Sequence, residues 1–193
     1  MSTLKTTSIT HGSNSGTANL TLASDGKVTI PEKKLYCPGA IVQVQQGTYS
    51  GSQTLTSASL VDIGLSVAIT PTASTSKILI QAQVCAMVDS SSSYYGGYLQ
   101  LIRGSTAIAQ GDAAGSRNRV TVGISGDDNT INSNVVPILY LDSPSTTSAT
   151  TYKIQCAHGQ TQPITINAAN NDSDSATYGV RMISTIIAME VAG

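Results

Sequence analysis

The sequence contains few charged and few aromatic residues. Charged residues make up 11% of the 193 residues, phenylalanine and tryptophan are absent, and the formal net charge is −1. Lysines and arginines this sparse exclude a basic surface for the phosphate backbone of a nucleic acid. No apolar run reaches the roughly 18 residues of a membrane span, and the N-terminal residues lack the apolar core of a signal peptide. We therefore expect neither a nucleic-acid partner nor a membrane partner.

Helix-forming residues are also scarce, whereas small hydroxyl residues are abundant. The chain has two glutamates against 26 serines, 24 threonines and 17 glycines. Short runs of alternating apolar residues are separated by glycine, proline, aspartate and asparagine, which is typical of strands joined by turns. The apolar share of 40% is enough for a core. The fold class predicted is all-β, an antiparallel β-sandwich or jelly roll.

Two long strands are expected to lie centrally in this sandwich. Residues Lys77–Val88 alternate most clearly, with one apolar face and a second face that is largely uncharged. Residues Val180–Val191 form a long apolar closing strand. One face of such a strand fills the core, and the other suits an interface between identical copies. The candidate residues for the core or for this interface are Ile80, Val84, Leu101, Leu139, Ile154 and Ile187.

Residues 1–39 differ in composition from residues 40–193. The first segment is rich in serine, threonine, asparagine and glycine, and Asp25-Gly26 separates two short β-like pieces, which predicts a hairpin. A hairpin of this size is marginal by itself. We therefore expect residues 1–39 to be an extended arm that packs on another chain, and residues 40–193 to form the knob.

No pattern for catalysis or metal binding emerges. The two histidines, His11 and His158, stand apart in polar stretches, and we interpret both as exposed loop residues. Cys37, Cys85 and Cys156 form no CxxC pair, so free thiols are expected. No GxSxG motif or phosphate-binding glycine loop occurs. The sequence predicts no enzyme, no metal and no cofactor.

Several loops could serve recognition. A serine-rich stretch ending in two tyrosines and two glycines combines rigid rings with small hydroxyls, which suits an adaptable contact surface. Two acidic stretches offer further polar contacts, and the alternative is that all of them are ordinary solvated loops. The candidate recognition residues are Tyr94, Tyr95, Asp127, Asp128, Asn171, Asp172 and Asp174.

Four stretches together resemble a known family. Residues 60–84, 96–112, 138–156 and 181–191, in this order, resemble small structural proteins of tailed bacteriophages, many of them marine or from cyanobacterial hosts. Their strand order is also similar to the knob of the C1q and tumour-necrosis-factor families, whose members are compact homotrimers. This sequence departs from those knobs in lacking phenylalanine and tryptophan, so its trimer axis would rely on aliphatic residues and tyrosine.

The resemblance implies a non-enzymatic virion structural protein. It would be a trimeric jelly-roll knob on the virion surface, made in the cytoplasm of the bacterial host. Residues 1–39 would attach it to the major capsid protein or to another virion protein, on the capsid or on the tail. It would then serve as a capsid decoration or cement protein, or as a short head or tail fibre in host attachment, with a host surface glycan as a further partner. The alternative is a lectin-like, glycan-binding receptor-recognition module that is not fixed to the capsid.

Overall fold

A computed structural model describes most of the chain. The described residues are 6–9, 20–29, 37–88, 96–124, 134–159, 163–169, 172, 174–177 and 179–193. They form fourteen strands. They form no helix, and hence none that is long and apolar enough to cross a membrane.

The strands fall into a small arm sheet and two larger sheets. In chain order they are β1 (Ser8–Ile9), β2 (Leu20–Leu22), β3 (Val28–Thr29), β4 (Ile41–Tyr49), β5 (Gln53–Leu55), β6 (Val61–Ile69), β7 (Lys77–Val88), β8 (Gly97–Arg103), β9 (Thr106–Ile108), β10 (Val122–Ile124), β11 (Asn134–Asp142), β12 (Thr150–His158), β13 (Ile164–Ile166) and β14 (Ser184–Val191). The arm sheet has the order β1-β2-β3, and its β2–β3 hairpin turns at Asp25-Gly26 as predicted.

The two larger sheets form a jelly roll. Sheet I has the order β4-β14-β7-β11. Beyond the start of β14, β13 pairs with the last residues of β7, and β5 pairs with β13. Sheet II runs β6-β12-β8-β10, with β9 beside the other half of β8. When the eight main strands are numbered along the chain, the orders are 1-8-3-6 and 2-7-4-5, the two-sheet Greek-key order of a jelly roll. The predicted all-β, antiparallel fold class is confirmed.

The core between the sheets is almost wholly aliphatic. Side chains alternate along each strand, so every second residue points inward. Four of the six candidate core or interface residues are fully buried there: Ile80, Val84, Leu101 and Ile154. Each buried aliphatic side chain contributes about 1.5–3 kcal/mol from leaving water. Tyr152 is the one aromatic side chain fully buried among the described residues.

The closing strand is shorter than predicted. It begins at Ser184 and not at Val180, because the Ser184 hydroxyl donates to Asn167 Oδ1 (2.7 Å) and accepts from the Cys85 amide (3.0 Å). Ahead of it, Arg181 forms an isolated bridge with the chain just after β13. Sequence alternation also missed β5, a three-residue strand with one buried side chain.

Candidate functional site

The outward positions of β4, β7, β11 and β14 form one continuous surface, here called the apolar face. One row of paired residues across these strands is entirely apolar: Leu141, Leu79, Met189 and Val44. The next row alternates aliphatic and amide side chains: Leu139, Gln81, Ile187 and Gln46. The two remaining candidates, Leu139 and Ile187, therefore lie on the outside of sheet I and not in the core.

Large aliphatic side chains on the apolar face are open to solvent in the single chain. Leu139 is 72% exposed, and Ile187 is half-buried. The other strongly exposed aliphatic residues of this face are Ile41, Val44, Val135 and Leu141. The described strands of sheet II carry no large exposed aliphatic side chain. Because contiguous exposed apolar surface is characteristic of binding surfaces, the apolar face is the main candidate site.

The apolar face is also nearly free of charge. Among the outward positions of its four strands, which are described throughout, Lys77 is the one charged residue, and it lies at the end of β7. Gln46, Gln81 and Gln83 supply hydrogen-bonding groups without charge. Charged residues are depleted at the buried centre of protein interfaces, because removing them from water is costly. This surface can therefore be buried against another surface at little electrostatic cost.

The opposite surface, on sheet II, carries charge and is here called the polar face. Lys153 Nζ lies 2.8 Å from Asp62 Oδ2, and Gln155 donates to Asp62 Oδ1 at 2.7 Å. The hydrogen bond from Lys153 is the largest influence that lowers the pKa of Asp62 below its ordinary 3.8. Asp62 is exposed. Because it is both charged and hydrated, this part of the polar face is poorly suited to an interface.

The chain itself covers the part of the polar face that lies on β8. Gln100 of β8 is fully buried although its position points outward. Its amide nitrogen donates to the Ile108 carbonyl (2.7 Å) and to Thr121 Oγ1 (3.1 Å), and Gln110 donates to its Oε1 (3.3 Å). The segment 106–121 therefore lies over β8. Of the two outer faces, the apolar face is the one on which large aliphatic side chains are exposed.

One end of the sandwich holds the junction with the arm and is here called the arm end. The Gly39 amide donates to the Ala192 carbonyl, and the Ala192 amide donates to the Ala40 carbonyl, both at 2.8 Å. Glu190 fixes the same end, accepting from the Thr72 amide at 2.7 Å and from Gln43 Nε2. The chain therefore enters the knob beside its last residues.

The Glu190 carboxylate is buried but well satisfied. Burial would raise its pKa, but hydrogen bonds from Gln43, Thr72 and Ser76 outweigh burial and hold the pKa below the ordinary 4.5. The carboxylate therefore stays charged inside the arm end, where it ties β14 to the chain just after β6.

The opposite end of the sandwich, here called the loop end, holds the described strand ends that flank two of the predicted recognition loops. The strand ends that flank the connections 89–95 and 125–133 lie together there, because Gly97 pairs with both Ile124 and His158. Five of the seven candidate recognition residues lie outside the described residues: Tyr94, Tyr95, Asp127, Asp128 and Asn171.

The remaining two recognition candidates, Asp172 and Asp174, border an open cavity of about 390 Å³. Arg181 forms an ion pair with Asp172 at 2.8 Å and also contacts Ser52, which places this cavity at the loop end. Its lining is polar and includes both signs of charge. Such a depression offers hydrogen-bonding groups to a hydroxyl-rich ligand.

A buried cluster that sequence reasoning missed joins the two sheets. Tyr152 Oη donates to Asp142 Oδ2 at 2.6 Å, and Arg103 Nη1 donates to both Asp142 oxygens at 2.9 and 3.0 Å. Burial and the Asp142 carboxylate raise the pKa of Tyr152 above its ordinary 10. The one signal in the sequence is a tyrosine at an inward position of an aliphatic strand, whose hydroxyl needs a partner when buried.

The described histidine and two of the three cysteines are buried in the fold. The interpretation of His158 as an exposed loop residue is wrong: it ends β12, is buried, and its Nε2 donates to the Thr56 carbonyl at 3.0 Å. His11 lies outside the described residues. All three cysteines are free, and burial raises the pKa of Cys156 to about 12. Within the described residues no three histidine, cysteine or acidic side chains cluster as metal ligands.

Similarity to known proteins is limited. No protein-family model matches this chain, and no curated protein matches it. One solved structure, that of T=1 particles derived from infectious bursal virus, is similar over 80% of this chain at 12% sequence identity and a TM-score of 0.37. The alignment covers 37% of that viral chain. A likeness at this identity and TM-score does not identify a function.

Proposed function

We propose that this chain is a non-enzymatic structural protein of a bacteriophage virion, a surface knob whose copies associate through the apolar face. The sequence stretches that resemble phage structural proteins suggest the virion, and the related knob families suggest three copies. The observation that carries the proposal is the contrast between an outer face on sheet I with large exposed aliphatic side chains and almost no charge, and an outer face on sheet II that carries an ion pair and no large exposed aliphatic side chain.

The arrangement of the two ends supports attachment and display. The arm joins the knob beside the C-terminal residues, whereas the strands that flank the long connections meet at the opposite end. An arm docked on a major capsid protein or another virion protein would leave the loop end facing outward. Extended backbone in such an arm can pair with exposed strand edges of its partner.

Localisation on the particle tests the proposal. Purified virions are analysed by mass spectrometry and by electron cryomicroscopy, with particles from phage lacking this gene as the control. We expect the protein in the virion and a knob density on the capsid or tail that is missing from the control. Its absence from purified virions would contradict the proposal.

Two roles on the virion remain to be separated. A decoration or cement protein braces neighbouring subunits, so capsids lacking it would break at a lower temperature or pressure. A short fibre contacts the host, so particles lacking it would adsorb poorly while their capsids stay equally stable. Comparing capsid stability and adsorption in the same deletion phage assigns one role or the other.

A free glycan-binding module is the second candidate, favoured by the cavity beside Asp172 and Asp174 at the loop end. Its mixed acidic and basic lining suits hydrogen bonds to sugar hydroxyls. This alternative predicts binding of purified protein to host cell-wall glycan, weakened by Asp174→Ala, together with absence from virions. Presence in virions without glycan binding would exclude it.

A further inference from the structure

Strand β11 forms the free edge of sheet I. Its pairing with β7 is continuous from Asn134–Ala86 to Asp142–Ile78, and among the described strands β7 is its one partner. An unpaired edge of this length exposes backbone donors and acceptors to which a strand of another chain can add. Whether copies of this chain meet by such strand addition or through side chains depends on what this edge offers.

The hydrogen bonds of β7 fix which β11 groups point to the free edge. The Cys85 carbonyl accepts from the Asn167 amide and the Cys85 amide donates to Ser184 Oγ, both at 3.0 Å, so Cys85 directs its backbone groups away from β11. In an antiparallel ladder hydrogen-bonded and non-hydrogen-bonded pairs alternate. Gln83, two residues earlier, therefore also points its groups away from its partner Pro137. Pro137 consequently directs its nitrogen and its carbonyl to the free edge.

Pro137 removes a donor from the middle of this edge. The residues that share its orientation are Val135, Leu139 and Leu141, and each of them keeps its N–H group. Proline has no N–H group to give, and edge-strand proline is one device by which native proteins prevent unwanted pairing. A groove of about 230 Å³ lies beside Pro137, between β11 and β10, so there is space next to this part of the edge.

We propose that Pro137 closes the β11 edge to strand addition by a second copy of this chain, so that copies meet through side chains of the apolar face and do not extend sheet I. The inference rests on the proposed self-association and adds the residue that selects its mode. Because the outward side chains of β11 belong to the apolar face, an open edge would compete directly with face-to-face association.

The test restores the missing N–H group in a chain whose apolar face is intact and in a chain whose apolar face is disrupted. Pro137→Thr is made in the wild-type chain and in the Ile187→Asp variant, and masses are measured by light scattering after size exclusion. The Ile187→Asp variant is expected to be a monomer, because its carboxylate disrupts the apolar face. We expect Pro137→Thr to form species larger than the wild-type assembly, and to make the Ile187→Asp variant associate. Pro144→Thr, in the turn after β11, is the matched control and should leave both masses unchanged.

Hydrogen exchange identifies the contact. The Leu139 amide should be protected in the species created by Pro137→Thr, since that amide would then pair with the added strand. Unchanged masses in both backgrounds, or association that leaves this amide unprotected, would overturn the inference. If Pro137→Thr does not fold, Pro137→Ala restores the same N–H group without a branched side chain. If the wild-type chain is a monomer, the proposed association through the apolar face is wrong. The role of Pro137 is still tested in that case, because Pro137→Thr should then cause the monomer to associate.

Discussion

The two outer faces of the sandwich arise from the same alternation of residues, yet they differ in chemistry. On sheet II the outward positions carry the Asp62–Lys153 ion pair, and segment 106–121 covers β8. On sheet I the corresponding positions carry exposed leucine, valine and isoleucine with uncharged glutamines between them. The outward positions of sheet II therefore carry an ion pair, whereas those of sheet I carry one charged residue, Lys77, at the start of β7. The difference shows that one regular alternation can give two outer faces of opposite chemistry, and it is the basis on which association through the apolar face is proposed.

The largest effect is expected from a charge placed on the apolar face. Ile187→Asp would put an unpaired carboxylate into an apolar interface, which costs more than about 3 kcal/mol per subunit. The assembly should dissociate into folded monomers, because Ile187 is half-buried and not part of the core. Light scattering measures the mass and circular dichroism measures the fold.

The matched control is Ala68→Asp, an exposed outward position on the polar face. It adds the same carboxylate to the other sheet and should leave the mass unchanged. If Ile187→Asp keeps the wild-type mass, or if both variants dissociate equally, the distinction between the faces fails.

An effect of intermediate size on stability is expected from a change in the Tyr152 cluster, which lies between the two sheets. Tyr152→Phe removes the buried 2.6 Å hydrogen bond to Asp142 and should lower the free energy of unfolding by about 1.5–3 kcal/mol. Because this cluster joins the sheets and lies on neither outer face, the mass of the assembly should not change. Urea unfolding followed by circular dichroism checks the first point. A variant as stable as wild type would show that the hydroxyl contributes little.

Acid should weaken the fold at two carboxylates, one on the polar face and one at the arm end. The pKa values of Asp62 and Glu190 lie below their ordinary values in the folded chain. Their contribution is therefore present above about pH 4.5 and is lost as the pH falls through the folded pKa values. The urea midpoint should fall between about pH 6 and about pH 3, and it should fall less in Glu190→Gln. An identical pH dependence in that variant would contradict the assignment to Glu190.

The smallest effect is expected from the exposed ion pair itself. Asp62→Asn removes the charge partner of Lys153, but exposed pairs contribute only about 0.2–1 kcal/mol. The free energy of unfolding should change by less than about 1 kcal/mol, and the mass should stay the same. Dissociation of the assembly in this variant would show that the interface lies on the polar face and not on the apolar face.

Alternation in the sequence predicts most of the strands, although it misses β5 and the start of β14, and it does not predict which side of each strand faces the core. It predicted β7 to the residue, with Ile80 and Val84 on its apolar side. It could not separate Leu139 of β11 and Ile187 of β14 from the core, because both sides of each strand carry apolar residues and pairing with distant strands decides which side turns inward.

Contacts between residues far apart in the sequence could not be predicted either, because they too depend on how distant strands pair. Arg103, Asp142 and Tyr152 belong to three different strands, and only the jelly-roll order brings them together. Asp142 precedes Ser143 and Pro144, a local turn signal, yet it is buried as the last residue of β11. Tertiary pairing overrides the local signal at this position.

Sedimentation equilibrium of the 193-residue chain tests the central claim most directly. If the apolar face is an interface between copies, a single species at three times the 19.8 kDa chain mass is expected over a wide range of concentrations. A monomer at every concentration would show that the exposed aliphatic residues of sheet I do not hold copies of this protein together.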